Sequence, residues 1–261
     1  MPSTDPINII LPAGGRIDGE FAAESGAVIK ALINLQGATV LEHTLRAVRE
    51  APQVERIVVV GPPELKPHIS AQWAAGFVEE GDTGPENIFR GIEWLREANG
   101  GSHADRAIVM TTDMPFITGE HISGFLAACP ADVDIAVPVH EKAEIEARFP
   151  GWGVEFVHLR DGNWATGCAF LVNPAKLVAN RPHIEDIFAA RKSPIAMGRL
   201  LGLGFVLKLL LHRLTIASIV QRCEQILGCS AAAVHGAAPE LCFDLDEVKS
   251  YRYAVEGQHG R

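Results

Sequence analysis

Short apolar runs alternate along the chain with longer segments whose apolar residues recur at helical spacing. We predict strands for the short runs, at residues 7–11, 56–60, 107–110, 135–139 and 169–172. We predict helices at residues 40–50, 86–97 and 122–128, where the apolar side chains share one face. This alternation is typical of an α/β fold in which helices cover a mixed, mostly parallel sheet.

The pattern changes after about residue 180. Residues 194–214 are rich in leucine, and their longest stretch without a charge, residues 200–207, has eight residues. A helix that crosses a bilayer needs about 20 apolar residues. Three interpretations stay open: a helix buried on most sides, a subunit contact, or a basic, leucine-rich helix on a membrane surface. We predict a helical insert near residues 180–235 within a single domain, residues 1–261.

The amino-acid composition indicates which broad class of protein this chain belongs to. The chain has 261 residues, of which 48% are hydrophobic and 21% charged, with a net charge of −9. These values are typical of a globular protein, and the acidic balance argues against broad nucleic-acid binding. Five cysteines without a Cys-x-x-Cys pair indicate neither a disulfide framework nor a zinc site. The start of the chain does not resemble a signal peptide, so we expect a cytoplasmic location.

The first predicted strand ends in the loop Pro12-Ala13-Gly14-Gly15. Small residues let backbone N–H groups approach a phosphate closely, because no large side chain stands in the way. Arg16 follows with a guanidinium that can bind phosphate oxygens. The pattern predicts a nucleotide site, although an ordinary turn between strand and helix would look similar.

Carboxylates mark a second candidate site. Asp113 follows the predicted strand 107–110, and ligands of open α/β sheets gather at the carboxyl ends of strands. An Asp there can hold Mg²⁺, which prefers oxygen ligands. The alternative is an Asp that caps the next helix, for which Thr118 is the better candidate. Asp244 and Asp246 offer further carboxylates, or form a solvated acidic turn. An extended backbone would direct their side chains to opposite faces.

Two lysines are further candidates. Lys30 is a single charge within an apolar stretch, so its ammonium can reach a phosphate or extend from a strand edge into solvent. Arg191 and Lys192 precede Pro194, where a helix would begin, and could attract the phosphate of an acceptor substrate. A basic surface turn is the alternative for this pair.

Taken in order, these segments resemble the nucleotidyltransferases of sugar phosphates and of the molybdenum cofactor, the MobA-like NTP transferases. Residues 11–16 resemble their Gly-rich loop with a terminal Arg, and residues 30–45 their Pro-Lys-x-Leu segment with the helix after it. Residues 112–116 match their metal-binding Asp-x-Pro. The resemblance covers residues 7–175 and 240–255.

The resemblance implies a Rossmann-like, GT-A type domain that transfers NMP from an NTP to a phosphorylated acceptor and releases pyrophosphate. It implies catalytic roles for Arg16, Lys30 and Asp113, and Mg²⁺ held by Asp113 and Asp246. The residues that it implies for substrates are Leu11, Ala13, Gly14, Gly15, Gly81 and Asn87 for the nucleotide, and Thr166 and Gly167 for the acceptor. Lys192, outside the resemblance, is our third candidate for the acceptor. Because the acceptor phosphate is already mostly ionised at neutral pH, the reaction requires cations rather than a base.

The chain departs from the family pattern at its start. The loop is shortened to Gly14-Gly15-Arg16, residues 17–26 look inserted, and Ile29 stands where the family has Pro. These departures motivate one alternative, a nucleotide-binding regulator without catalysis. A glycosyltransferase of the same fold is another, but such enzymes usually carry Asp-x-Asp where this chain has Thr111-Thr112-Asp113.

Overall fold

A computed structural model describes residues 6–190 and 193–256, without the side chains of residues 194, 195 and 197. Lys192, predicted to contact the acceptor, lies outside the described residues. The strands are β1 (Ile7–Pro12), β2 (Asn34–Leu35), β3 (Ala38–Thr39), β4 (Val54–Gly61), β5 (Gly76–Glu79), β6 (Ala107–Met110), β7 (Ile135–Glu141), β8 (Val157–Leu159), β9 (Gly162–Thr166), β10 (Ala169–Val172) and β11 (Ala231–Val234). The helices are α1 (Gly19–Ser25), α2 (Val40–Glu50), α3 (Gly84–Ala98), α4 (Gly119–Ala128), α5 (Lys142–Arg148), α6 (Pro174–Ala179), α7 (Arg181–Ala190), α8 (Pro194–Leu201), α9 (Leu203–Leu210), α10 (Ile216–Leu227) and α11 (Val248–Glu256).

In the described part of the chain, nine strands form one sheet in the order β5-β4-β1-β6-β10-β7-β9-β8, with β11 paired to β7. Strands β5, β4, β1 and β6 are parallel neighbours, and β11 is parallel to β7. Strands β10 and β9 run against their neighbours. The predicted α/β fold with a mixed, mostly parallel sheet is confirmed, and each predicted strand and helix lies within an observed element of the same type.

Both faces of the central strands are buried. Successive residues of a strand point to opposite faces, so Ile9 and Ile57 belong to one hydrophobic cluster while Ile10 and Val58 belong to another. Helices α2 and α4 pack against each other, and α3 packs on β1 and β4. Burial on both faces explains why these strands are continuous apolar runs rather than alternating patterns.

Helix α2 is fixed relative to the loop after β6. Thr39 begins it with a capping box, in which its hydroxyl accepts from the Glu42 amide and the Glu42 carboxylate accepts from the Thr39 amide. Within the helix, the buried Thr44 hydroxyl donates to the carbonyl of Thr112 at 3.1 Å. This bond holds the segment that leads into Asp113.

The insert predicted near residues 180–235 is helical from α7 to α10, but its end is not, because β11 (Ala231–Val234) joins the sheet beside β7. Residues 194–214 do not form one helix, because Gly202, with φ of 93°, separates α8 from α9. The interpretation as a helix buried on most sides is wrong for α9, since none of its residues is buried. Among the described residues, no helix is long and apolar enough to cross a membrane.

Candidate active site

Two neighbouring cavities carry the candidate residues. The first opens at the carboxyl ends of β1 and β6, and the second lies between β9 and the segment that leads into α11. The first has a volume of about 450 Å³, and the second about 340 Å³. Lys30 and Asp113 line the first cavity, while Asp244 and Asp246 line the second. Contacts of the Lys30 ammonium join the two sets of carboxylates, so one charged cluster lies where the cavities meet.

The loop after β1 forms one wall of the first cavity. The Arg16 guanidinium donates to the Gly14 carbonyl at 2.6 Å and to Oε1 of Glu80 at 2.5 Å. The other carboxylate oxygen of Glu80 lies so close to Gly14 that a Cβ there would stand 1.9 Å from it. A side chain at position 14 would therefore displace the end of the flexible Glu80 side chain, and in this structure the neighbour of Gly14 is a carboxylate.

Lys30 is positioned by the same loop. Its amide donates to the Gly15 carbonyl at 2.9 Å, and the Ile17 amide donates to the Val28 carbonyl at 3.1 Å. These two contacts close the base of a loop that contains residues 17–26, which looked inserted, and α1 is formed within this loop. The insertion therefore leaves Lys30 beside the Gly-rich loop.

The Lys30 ammonium forms ion pairs with two carboxylates. It lies 3.1 Å from Oδ2 of Asp113 and also contacts Oδ1 of Asp246. Burial by itself would lower the pKa of Lys30, but Asp113 and Asp246 outweigh it and raise the pKa to about 12. Lys30 is thus a permanent cation at neutral pH.

Asp113 is 8% exposed and is not the cap of α4, because the Thr118 hydroxyl accepts from the His121 amide. The Asp113 carbonyl accepts from the Leu245 amide at 3.0 Å, which brings the segment of Asp246 to the same place. Within the described part of the chain, Oδ1 of Asp113 and the nearby Oγ1 of Thr111 are buried without a hydrogen-bond partner. Unpaired oxygens of this kind can receive a cation.

Asp244 and Asp246 differ in environment, although both line the second cavity. Asp246 is exposed, whereas Asp244 is partly buried and accepts from the Cys168 thiol at 3.4 Å. Burial and the charges of Asp246 and Asp113 raise the pKa of Asp244 to about 7. Asp246 is the carboxylate that shares the Lys30 cation with Asp113.

The second cavity has aromatic and acidic walls. Trp152 stacks on Phe243 and its Nε1 donates to Ser250 at 3.1 Å, while Trp164 forms part of the opposite hairpin. The full lining is Trp152, Val154, Glu155, Val157, Trp164, Ala165, Thr166, Cys168, Cys242, Asp244, Asp246, Glu247, Lys249 and Ser250. Among the described residues that line this cavity, Lys249 is the single Lys or Arg, and it pairs with Glu247 at 2.9 Å.

The structure brings most of the predicted residues to these cavities. The first is lined by Pro12, Gly14, Gly15, Arg16, Lys30, Glu80, Gly81, Asp82, Thr83, Gly84, Asn87, Thr111, Thr112 and Asp113. The Asn87 side-chain oxygen Oδ1 accepts a hydrogen bond from the Gly81 amide at 2.7 Å, which fixes the shape of this wall. Leu11 and Ala13 do not line it, because their side chains are buried in the core.

Of the two predicted acceptor residues that the structure describes, Thr166 lines the second cavity and Gly167 does not. The Gly167 amide donates to the Pro138 carbonyl at 2.8 Å, and a Cβ at this position would lie 2.9 Å from the Leu241 carbonyl oxygen. Its role in the structure is close backbone packing.

Sequence reasoning missed Glu80 and Thr111. Glu80 follows β5, a four-residue edge strand without a fully buried residue, which gave no apolar run to predict it from. Thr111 directly follows β6, so its position at a strand end was a usable signal.

Comparisons with known proteins agree with this arrangement. The family model of the MobA-like NTP transferase domain matches residues 14–201. Over 93 residues the chain is 28% identical to the phosphoenolpyruvate guanylyltransferase of Sphaerobacter thermophilus, an alignment that covers 35% of this chain and 43% of that protein. The chain thus spans less than half the length of this relative.

Solved structures give a longer match. A hypothetical transferase from Thermus thermophilus is 30% identical with a TM-score of 0.79, and the superposition covers 94% of this chain and 99% of that one. The 4-diphosphocytidyl-2C-methyl-D-erythritol synthase of Anaerococcus prevotii is 13% identical with a TM-score of 0.60, covering 98% and 97%. This second likeness shows the fold alone.

The family model covers well over half of the chain, and its range includes the Gly-rich loop, Lys30, Asp113 and the wall that Gly81 and Asn87 form. The resemblance that the sequence motifs indicated is therefore confirmed. The chain belongs to the family of MobA-like NTP transferase domains, which are nucleotidyltransferases.

Proposed function

We propose that this chain transfers NMP from an NTP to a phosphorylated small-molecule acceptor, with Mg²⁺ as cofactor and pyrophosphate as the second product. The observation that carries the proposal is the Lys30 ammonium between Asp113 and Asp246, at the junction of two cavities. One cavity takes the nucleotide and the other the acceptor. The reacting phosphates would meet beside this cluster.

Three features favour a triphosphate in the first cavity. Gly14 and Gly15 leave the backbone accessible, Arg16 and Lys30 supply positive charge, and residues 83–84 begin α3 at the cavity wall. The N-terminus of this 15-residue helix carries partial positive charge. Together they would neutralise the charge that develops on pyrophosphate as it leaves.

The carboxylates fit Mg²⁺. Asp113 offers Oδ1, buried without a partner among the described residues, and Asp246 offers an exposed carboxylate. When bound, Mg²⁺ would supply positive charge to the α-phosphate and the attacking phosphate. Because Lys30 contacts the same two carboxylates, such an ion would weaken its ion pairs with them and leave its ammonium freer to contact a phosphate.

The second cavity favours the acceptor because Asp244, Asp246 and Thr166 bring it to the charged cluster. The acceptor phosphate would attack the α-phosphorus, forming one P–O bond while the bond to pyrophosphate breaks. No residue has to remove a proton from a phosphate that is already ionised. The chain contributes orientation and charge neutralisation.

The test is pyrophosphate release from each of the four NTPs with a panel of phosphate monoesters. Asp113→Asn should lower kcat at least about a hundredfold while the protein stays folded, because it removes charge where the metal is held. The matched control is Asp132→Asn, at an exposed position outside both cavities. Undiminished turnover in Asp113→Asn would remove this residue from the mechanism.

A further inference from the structure

Helix α9 presents an apolar surface to the outside of the molecule. Leu203, Leu207, Leu210 and Leu211 are 81, 58, 70 and 53% exposed, and we call these four side chains the leucine face. The first three, spaced by four and three residues, lie on one side of α9, and Leu211 directly follows the helix. Four of the seven large hydrophobic side chains that the described residues expose are concentrated here.

The charges around the leucine face are of one sign. The chain has a net charge of −9, yet it contains no Asp or Glu between Asp186 and Glu224. The same stretch carries six Lys and Arg residues. Lys208 and Arg213 are exposed and form no ion pair with any residue of the described ranges. The leucine face is therefore bordered by positive charge on an otherwise acidic protein.

The chain on either side of α9 is attached to the rest of the fold. The Arg222 guanidinium donates to the carbonyl of Leu201 at 3.0 Å before α9. After α9, Leu214 is 1% exposed and its carbonyl accepts from the Arg160 amide at 2.8 Å. The ring of His212 bonds the carbonyl of His158 at 3.1 Å. These contacts attach the chain on either side of α9 to α10 and to the β8–β9 hairpin, while α9 itself packs against α8 with the leucine face exposed.

We propose that the leucine face docks on the surface of an anionic lipid bilayer. An eight-residue helix is about 12 Å long, so it would lie in the interface rather than cross it. The leucines would enter the boundary between headgroups and acyl chains, and Lys208 and Arg213 would contact lipid phosphates. The leucine face lies beyond residue 201, where the match to the family model ends.

Charge argues against a second copy of the chain as the occupant. A two-fold interface brings the same surface of both subunits together. Lys208 and Arg213 would then meet the same cations of the other copy, with no acidic residue of this segment to pair with. An anionic bilayer supplies the opposite charge.

The experiment is flotation of the full chain with vesicles of phosphatidylcholine alone and of phosphatidylcholine mixed with phosphatidylglycerol. The wild type should float with the mixed vesicles and much less with phosphatidylcholine. Leu207→Glu and Leu210→Glu should each reduce the partition coefficient about tenfold. Lys208→Ser should reduce it about fivefold, and added salt should act in the same direction. None of these measurements depends on enzymatic activity.

Val178→Glu is the matched control, because Val178 is an exposed apolar residue on α6, outside the leucine face. It should float like the wild type. Folded wild type that stays at the bottom of the gradient with both vesicles would overturn the proposal. So would a dimer that Leu210→Glu dissociates in the absence of lipid, since a second copy would then cover the leucine face. Equal flotation with both vesicle types would also contradict it.

Discussion

The Nζ of Lys30 lies 3.1 Å from Oδ2 of Asp113, although 83 residues separate them in the sequence. Asp246 completes the cluster from the other end of the chain. The ammonium neutralises carboxylates that would otherwise repel each other at the junction of the cavities. In the proposed function, Lys30 and a divalent cation would therefore compete for the same two carboxylates.

This competition predicts opposite effects of Lys30→Met on metal binding and on turnover. Without the ammonium, the nucleotide-free protein should bind Mn²⁺ about tenfold more tightly, because the carboxylates keep their charge and lose a competitor. Turnover should fall at least about a hundredfold, since the triphosphate loses a cation. Titration of Mn²⁺ followed by electron paramagnetic resonance gives the affinity. Lys66→Met, outside both cavities, is the control, and an unchanged Mn²⁺ affinity in Lys30→Met would contradict the competition.

The Arg16–Glu80 pair predicts that Glu80→Gln strengthens binding of phosphate chains. The Glu80 carboxylate holds the guanidinium and lies against Gly14, where phosphate oxygens would approach. Removing its charge should tighten tripolyphosphate binding about fivefold, as expected for one partly exposed ion pair. Calorimetry with tripolyphosphate isolates this effect from recognition of the base. Glu79→Gln, at the neighbouring exposed position, should change little. Weaker tripolyphosphate binding in Glu80→Gln would show that the carboxylate supports the site.

His140 predicts a loss of stability at acidic pH. Its ring is fully buried on β7, and neither nitrogen has a partner among the described residues. Burial lowers the pKa of His140, although the charges of Glu144 and Glu240 oppose the shift. Below about pH 6.5, His140 therefore binds a proton in the unfolded chain but not in the folded protein. The free energy of unfolding consequently falls as the pH decreases from this value towards the lowered pKa of the folded state.

We expect His140→Leu to reduce this dependence, by at most about 1.4 kcal/mol per pH unit. Urea unfolding at pH 7 and pH 5 measures it, with the exposed His183→Gln as control. Parallel loss of stability in wild type and His140→Leu would exclude His140 as the cause.

If the acceptor binds in the second cavity, as we propose, the lining of this cavity predicts which acceptors are preferred. Glu155, Asp246 and Glu247 leave it acidic, and Lys249 already pairs with Glu247. An acceptor that carries a carboxylate besides its phosphate should therefore have a higher KM than glycerol 3-phosphate, whose remainder is uncharged. Glu155→Gln should lower the KM of the carboxylate-bearing acceptor about threefold and leave the KM of the NTP unchanged. Preference of the wild type for phosphoenolpyruvate over glycerol 3-phosphate would contradict the prediction.

The sequence predicted the elements that build the site because their signals are local. The run Ile7–Pro12 stops at small residues, and Ala107–Met110 stops before Asp113, so both strand ends could be placed without knowing their neighbours. The Thr39 and Thr118 caps likewise depend on residues three positions away. Gly-rich loop, lysine and Asp-x-Pro in this order were enough to indicate the family.

Other features depend on contacts between distant parts of the chain. The strand order and the path of the loops bring Lys30 to both Asp113 and Asp246, and they place Glu80 against the Gly-rich loop. They also turn Leu11 and Ala13 away from the cavity. The exposure of α9 is of the same kind, because the leucine pattern is equally compatible with a buried helix. The periodicity of apolar residues and the sterics of the backbone determine where helices and strands form. The sequence was therefore sufficient to predict these elements. Long-range packing decides which faces of these elements meet and which charges become neighbours. This information is present only in the tertiary structure.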